Sequence, residues 1–521
     1  MNTKVNKITA ALLSRKHPDY EEFLEQWDMY EDTYKGGRKW FKKHIHKYHK
    51  EGNDEFTTRV ERAYRFNHPK EVVDLVGKYL FRGEISRKED APKEIQAFWK
   101  RMSKRGWTVK EMMPVLNKWA SVFGRIWVVV DAKSLASTGT TVKDVKDAGY
   151  RVWCHWVRPQ DMLDCAYSED DGELDWVLIR ESYRVNANSA LSLDGGHRYR
   201  YRLWTRKSWF LYEYEVDGKG DVTENLAETD NGNHDLNMVP VIPLDNQSSS
   251  EDYTSPSLIA DIAYLDKAVA NYLSNLDAII QDQTFSQLAM PAQAAIMSGA
   301  GKDDEKQREN MIAVGKKRVF LYDGEGNGQP FFLSPDPKQA ELIITAIKQI
   351  INEIYHSVGV AGERTKQDNS QGIDNSSGVA KAYDFDRVNS LLTNKGETLQ
   401  RFENRLCRLV MKWHGHDEVN DDEQWVTYPP SYDIRGFADE LNISERLDLI
   451  TAPLKLKQHQ LKRAVDKMYP SMDEKTRKEL HAAINDMKDA LELLPGTGDP
   501  DAANPALPNE QNQEANRDDD D

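Results

Sequence analysis

Cysteine is scarce in this chain: Cys154, Cys165 and Cys407 are the only three in 521 residues. Their number is odd and no CxxC pair occurs, which excludes a disulfide framework and the usual zinc modules and leaves reduced thiols. No apolar run approaches the roughly 18–20 residues needed to span a bilayer. The opening MNTKVNKITAALLSRKHPDY has too short an apolar stretch for a secretory signal. The expected setting is therefore the cytoplasm, or a particle assembled there, with no membrane partner. A basic excess is also missing. The net charge is -16 and the isoelectric point about 5.4, whereas proteins that grip duplex DNA carry a basic footprint. Charge alone argues against tight DNA binding. It does not argue against a conduit, because an acidic wall repels phosphates and lets DNA slide. No GxxxxGK[ST] loop, GxSxG elbow, HExxH or GxGxxG after a strand is found. The chain is read as a non-enzyme with no cofactor and no bound metal.

What is present is a soluble, charge-rich chain, 39% hydrophobic and 30% charged, with a mean hydropathy of -0.73. It is long enough for several domains. Residues 1 to 120 read as mainly helical. In NHPKEVVDLVGKYLFRGEIS, Pro69 sits at a first-turn position and Gly83 follows the last apolar residues, with Val72, Val73, Val76, Tyr79 and Leu80 as the apolar face. From 125 to 245 the chain changes character. RIWVVVD, RVWCHWV, DWVLIRESYRV, YRYRLWT and SWFLYEYEV are rich in β-branched and aromatic residues and are separated by turn residues, the pattern of an antiparallel sheet. MVPVIPLDN closes the segment, and its prolines require it to lie at a sheet edge or to leave the sheet there.

A long helix is expected from Ser255. Leu258, Ile262, Leu265, Val269, Tyr272, Leu276 and Ile279 give it a heptad seam, and with no partner evident in the chain the seam suggests packing between subunits. Asp261, Asp266, Asp277 and Asp282 fall on its polar face. Residues 288–335 read as a small insert in which Met290-Pro291 ends the helix and KRVFLYD and PFFL pair as a hairpin around a glycine-rich turn. Asp336-Pro337 starts a second helix, whose apolar face is Leu342, Ile343, Ala346, Ile347, Ile350, Ile351, Ile354 and Val358, and Gly359 ends it. The polar stretch 359–377 is an exposed loop. A long helix then runs from Ser377 to Trp413, with Gly396 as a candidate kink. Further helices occupy Ser444 to Leu494, and the Pro-, Asn- and Asp-rich tail 495–521 is expected to be disordered.

Few residues invite a chemical reading. His44, His46 and His49 in KKHIHKYHK have a spacing compatible with a metal, but lysines surround them and a solvated basic face is the simpler account. DGEGNG at 323–328 lacks the distal glutamate of a calcium loop and reads as a turn. Lys316, Lys317 and Arg318 form a basic step suited to solubility, or to contact with a partner protein or with DNA. Arg364, Thr365, Lys366, Gln367 and Asn369 lie in the loop between two long helices.

The order of these parts resembles the portal protein family of tailed bacteriophages, in its siphophage form. NHPKEVVDLVGKYLFRGEIS is similar to the family's early helix ending in a YLFG.PI pattern, with Arg82-Gly83-Glu84-Ile85 where the family often has Gly-x-Pro-Ile. VPVIPLDN resembles the strand before the first stem helix, and SPSLIADIAYLDKAVANYLSNLDAIIQDQ the stem helix itself. SSGVAKAYDFDRVNSLL resembles the start of the long helix after the tunnel loop. The likeness covers residues 20 to 480 or so.

The resemblance implies an α+β, predominantly helical portal fold, assembled as a dodecameric ring at one capsid vertex. The wing is then 1–250, the first stem helix 255–287, the clip 288–335, the second stem helix 336–358 and the tunnel loop 359–377. The long helix and wing return take 378–440, and crown helices 441–494. Double-stranded DNA would pass without sequence readout, touching Arg364, Thr365, Lys366, Gln367 and Asn369, while Asp261, Asp266, Asp277 and Asp282 repel it. Lys316, Lys317 and Arg318 would face partners at the clip. Implied partners are other copies of the chain, the terminase, head-completion adaptors, and the major capsid and scaffolding proteins. Two other readings compete. A minor capsid or scaffold protein would build on the same helices without a lumen, and a metal-dependent DNA-processing enzyme would need an acidic cluster that the sequence does not display.

Overall fold

The computed structural model describes residues 13–49, 51–83, 85–132, 150–185, 196–216, 222–284, 287–291, 320–322, 329, 331–333, 337–359, 378–416, 423–432, 453–469, 472 and 474–487. The chain divides into two units, Met1–Asp433 and Ile434–Asp521.

The first unit opens with helices. In α1 (Tyr20–Lys35), Tyr20, Trp27, Tyr30 and Tyr34 recur at helical spacing and are all buried. Helix α2 (Arg38–His44) and α3 (Asn53–Arg62) follow. The solvated reading of the histidine tract fails at His44. That ring is buried, its centroid 5.1 Å from that of Trp40, because the tract folds back on the core, and burial lowers its pKa. Helix α4 (His68–Leu80) starts as its sequence suggests: Asn67 accepts a hydrogen bond from the Lys70 amide and Pro69 lies in the first turn. Its buried face is Val72, Val73, Val76 and Leu80. Helix α5 (Lys93–Lys100) and α6 (Val109–Phe123) complete this set, and Thr108 with Glu111 makes a capping box on α6.

Two sheets stand where one was expected. β2 (Arg125–Ala132) lies between β3 (Val152–Val157) and β9 (Val241–Asp245). Ile126 to Val130 are all buried, as befits a central strand covered on both faces. β9 is at the edge, so Pro243 costs no ladder hydrogen bond on its outer side. The other sheet is an antiparallel meander of β4 (Met162–Tyr167), β5 (Leu174–Arg184), β6 (His197–Thr205), β7 (Ser208–Val216) and β8 (Val222–Asn233). A two-residue strand, β1 (Ser86–Arg87), pairs with β13 (Val426–Thr427).

Helix α7 (Ala260–Thr284) leaves the sheet region and packs against α8 (Pro337–Ser357). Between them, β10 (Gln287–Pro291) is flanked by β11 (Phe320–Tyr322) and β12 (Phe331–Leu333). This corrects the hairpin reading. β11 and β12 do not pair with each other; each pairs with β10, one parallel and one antiparallel. Met290 and Pro291 belong to that strand rather than to the end of a helix.

Helix α9 (Gly378–Trp413) buries Leu392, Leu399, Phe402, Leu406, Leu409 and Val410. It runs unbroken through Gly396. The glycine makes room for a close neighbour: a Cβ there would come within 2.5 Å of the Tyr432 hydroxyl oxygen. In the second unit, α10 (Leu454–Met468) and α11 (Glu474–Asn485) pack together. His481 Nε2 lies 3.0 Å from Asp466, and Lys462 Nζ donates to Asn485 at 2.6 Å.

Candidate functional site

The two helices α7 and α8 carry the residues of greatest interest. The buried positions of α7 include Ile262, Asp266, Val269, Leu273 and Leu276. This is a 4-3-4-3 seam, but set one residue along from the expected one at alternate steps, so that Asp266 and Leu273 point inward while Tyr272 is exposed. The seam is filled within the chain, by α8 and by the N-terminal helices. Asn271 donates to the His44 carbonyl at 3.2 Å, and Arg59 donates to Ser274 at 2.9 Å.

The acidic face therefore needs correction at Asp266. Its side chain has no solvent exposure. One oxygen accepts from Arg65 and the other lies 2.9 Å from His68 Nδ1. A carboxylate can be buried here because two partners some 200 residues away in sequence complete its bonds. The Arg65 guanidinium in turn stacks 3.9 Å from the Trp40 ring centre and donates to the Thr33 carbonyl. Burial pulls the Arg65 pKa down against the opposing pull of Asp266. Asp261 is exposed in the first turn. Asp277 is half-buried, 3.6 Å from Arg62. Asp282 lies within α7. Lys316, Lys317, Arg318, Arg364, Thr365, Lys366, Gln367 and Asn369 fall outside the described residues.

Helix α8 is held at its far end by Tyr355, whose hydroxyl donates to Glu71 of α4 at 2.6 Å. The rest of its apolar face is only partly covered. Ile354 is fully buried, but Leu342 is 72% exposed and Ile344 40%. On α7, Tyr264, Tyr272 and Ile280 are exposed as well. Both helices thus leave apolar side chains open to solvent.

Sequence reasoning missed Lys395. It lies in the middle of α9 with no solvent exposure of consequence, and its Nζ donates to Ser121 Oγ at 2.8 Å and Asn246 Oδ1 at 2.5 Å. These bonds tie α9 to the end of α6 and to the turn after β9. The same turn leads into α7: Asn246 donates to the Pro256 carbonyl at 2.9 Å, and Ser257 Oγ donates to the Val122 carbonyl at 2.7 Å. A cavity of about 280 Å³ opens beside Lys395, lined among others by Asn246, Ser257, Asp261, Ser357 and Asn394.

Among the described residues no group of three or more His, Cys, Asp or Glu is placed to hold a metal, and no helix is long and apolar enough to cross a membrane. The model of the family "Phage portal protein, SPP1 Gp6-like" matches residues 13–439. The chain belongs to this family. As a portal protein it is a component of the phage virion, at the capsid vertex. No curated protein matches it. Among solved structures, a chain in the neck of an empty gene transfer agent particle is 12% identical, with 74% of this portal protein and 90% of that chain covered at a TM-score of 0.34. A chain in the virion of a native gene transfer agent particle is also 12% identical, with 80% and 89% covered at a TM-score of 0.28. Similarities this low assign no role to any residue.

Proposed function

We propose that this portal protein forms a dodecameric ring that conducts double-stranded DNA into and out of the capsid and catalyses no reaction itself. The family match over residues 13–439 carries this reading. In the ring, 1–250 and 378–440 form the wing, α7 and α8 the stem, 288–335 the clip, 359–377 the tunnel loop and 441–494 the crown. The clip, with Lys316, Lys317 and Arg318, docks the terminase during packaging and head-completion adaptors afterwards. Capsid and scaffolding proteins surround the wing. The terminase ATPase supplies the force.

Two features support this assignment. Leu342, Ile344, Tyr272 and Ile280 leave the helix pair with uncovered apolar surface, and a neighbouring copy of the same pair covers it in a closed ring. The chain's net charge of -16 suits a channel that must not hold DNA. Of the acidic residues first assigned to the channel, Asp261 is exposed, whereas Asp266 serves the protein interior. Arg364 and Lys366, with Thr365, Gln367 and Asn369, meet passing phosphates without reading bases. Replacing Arg364 and Lys366 together by alanine leaves ring assembly intact and reduces DNA retention or translocation, as scored by the fraction of DNA-filled particles. Normal filling of the mutant particles contradicts this role for the loop.

A further inference from the structure

A lysine buried without a carboxylate partner is rare, because burial penalises its charged form heavily. Lys395 is such a residue, and its surroundings fix its hydrogen-bonding role. Ser121 gives its own hydroxyl proton to the Asn117 carbonyl at 2.8 Å. Asn246 commits its side-chain N–H to Pro256. Both therefore present Lys395 with acceptors only. An uncharged amine has two N–H donors and both are used. An ammonium has three, and among the described residues no acceptor meets the third.

The bonds of Lys395 sit at a crossing of four elements. Ser121 is on α6 and Asn246 on the turn after β9, and the Asn246 amide donates to the Gly124 carbonyl at 2.6 Å. Ser121 also accepts, through its carbonyl, from the amide of Leu258 at 2.9 Å, just before α7 begins. One buried amine thus links α9 to both the end of α6 and the turn that leads into α7, beside the Arg401 bond to Ser248 in that turn, and the cavity next to the amine is large enough for several waters.

We propose that Lys395 and its cavity form a proton-operated joint: with the amine uncharged, α9 is fastened to the root of α7, and protonation of the amine loosens that fastening. The proposal concerns the single chain and does not depend on ring assembly. The charged groups nearby do not supply a counter-ion. Asp245, on β9, is engaged by a pair of bonds from Arg125 of β2. Lys118, on α6, turns to the rings of Tyr34 and Trp119. On α8, Ser357 lines the cavity while His356 beside it faces solvent next to Glu353. Asp261, on α7, is exposed at the cavity's edge and is the group a protonated Lys395 would draw in. Burial alone accounts for the fall of the Lys395 pKa from 10.5 to about 7.

The sign follows from linkage. The amine sheds its proton at lower pH in the closed joint than when released to solvent. Closure is therefore favoured as pH rises from about 7 towards 10.5, and below 7 the full penalty of a buried charge applies. Hydrogen exchange of the full chain, followed by mass spectrometry from pH 6 to 9 and corrected for intrinsic exchange rates, tests this. In segments 119–124 and 244–262 the opening constant is expected to be flat below pH 7 and to fall about tenfold per pH unit above it. Lys395→Met removes this dependence, and Asp261→Asn leaves its midpoint in place. Loss of the step in Asp261→Asn, or its persistence in Lys395→Met, overturns the proposal. If Lys395→Met does not fold, the wild type and Asp261→Asn still decide: a wild-type profile without a step near pH 7 also overturns it.

Discussion

Replacing Asp266 by alanine is expected to destabilise the first unit by about 3–5 kcal/mol, the usual cost of removing one partner from a buried ion pair. The loss is not that of one hydrogen bond. Arg65 stays behind, nearly inaccessible, with its charge unmatched, and His68 Nδ1 loses its hydrogen bond to the carboxylate. The cluster also joins α7 to the stretch leading into α4, so its failure releases the inner face of α7 from the helices that cover it. Denaturant unfolding followed by tryptophan fluorescence measures the effect, with Trp40 stacked on Arg65 as a local reporter. Adding Arg65→Met to the Asp266→Ala chain should recover much of the loss, since an apolar pair of similar volume needs no counter-charge. An Asp266→Ala midpoint equal to that of the wild type contradicts this account of the cluster.

Gly124→Ala should be more damaging still. Gly124 ends α6 with φ at +89°, in the region that side chains disfavour. A Cβ there would lie 1.8 Å from the Ser255 carbonyl oxygen and 3.0 Å from the Ser257 amide. The obstacle is backbone, so no rotamer change relieves it. That backbone is the lead into α7, and the shift needed would also disturb Ser257, Leu258 and Asn246, which bond to the end of α6 and to Gly124. The expected loss exceeds about 4 kcal/mol, a size reached by only a few mechanisms, of which strain at a special backbone position is one. Yield of soluble protein and limited proteolysis measure it. Wild-type resistance to proteolysis in Gly124→Ala would show that the close approach at residue 255 does not matter.

Much of the fold was legible where the local pattern is strong. The start of α4 was readable from Pro69 and the end of α8 from Gly359, which adopts φ +78°, and α9 spans Gly378–Trp413 where a helix from Ser377 to Trp413 was expected. The strands with dense aromatic and β-branched residues were found. Four strands, β1, β4, β8 and β10, were missed, and for β4 and β8 the physical reason is plain. β8, with the sequence VTENLAETDNGN, is an edge strand whose latter half is solvent-exposed, so it lacks the hydrophobic alternation that marks a strand. β4 follows a 3-10 turn at Pro159–Asp161 and contains Asp164, a buried acid that reads as a loop residue.

The buried charges were illegible for a related reason. In a heptad count an aspartate is placed on the wet face by default, so Asp266 and the true seam were set one position apart. Only Arg65 and His68, far off in sequence, make its burial tolerable. Lys395 looked like any helix-surface lysine, since Ser121 and Asn246 approach it only in the folded chain. Gly396 looked like a kink because its reason, the Tyr432 ring, lies 36 positions further along the chain. In each case a long-range partner decides what a local pattern cannot.

The measurement that bears most directly on the proposed role is electron microscopy of the purified protein, with class averages viewed along the particle axis. The account predicts a closed ring of twelve subunits, with a central channel at least about 20 Å wide to admit duplex DNA. Rings formed by the wild type should be lost when Leu342 and Ile344 are both changed to charged residues, because these side chains are assigned to the contact between copies. Filaments, or closed assemblies without a lumen, would contradict the channel and return the protein to a scaffolding role.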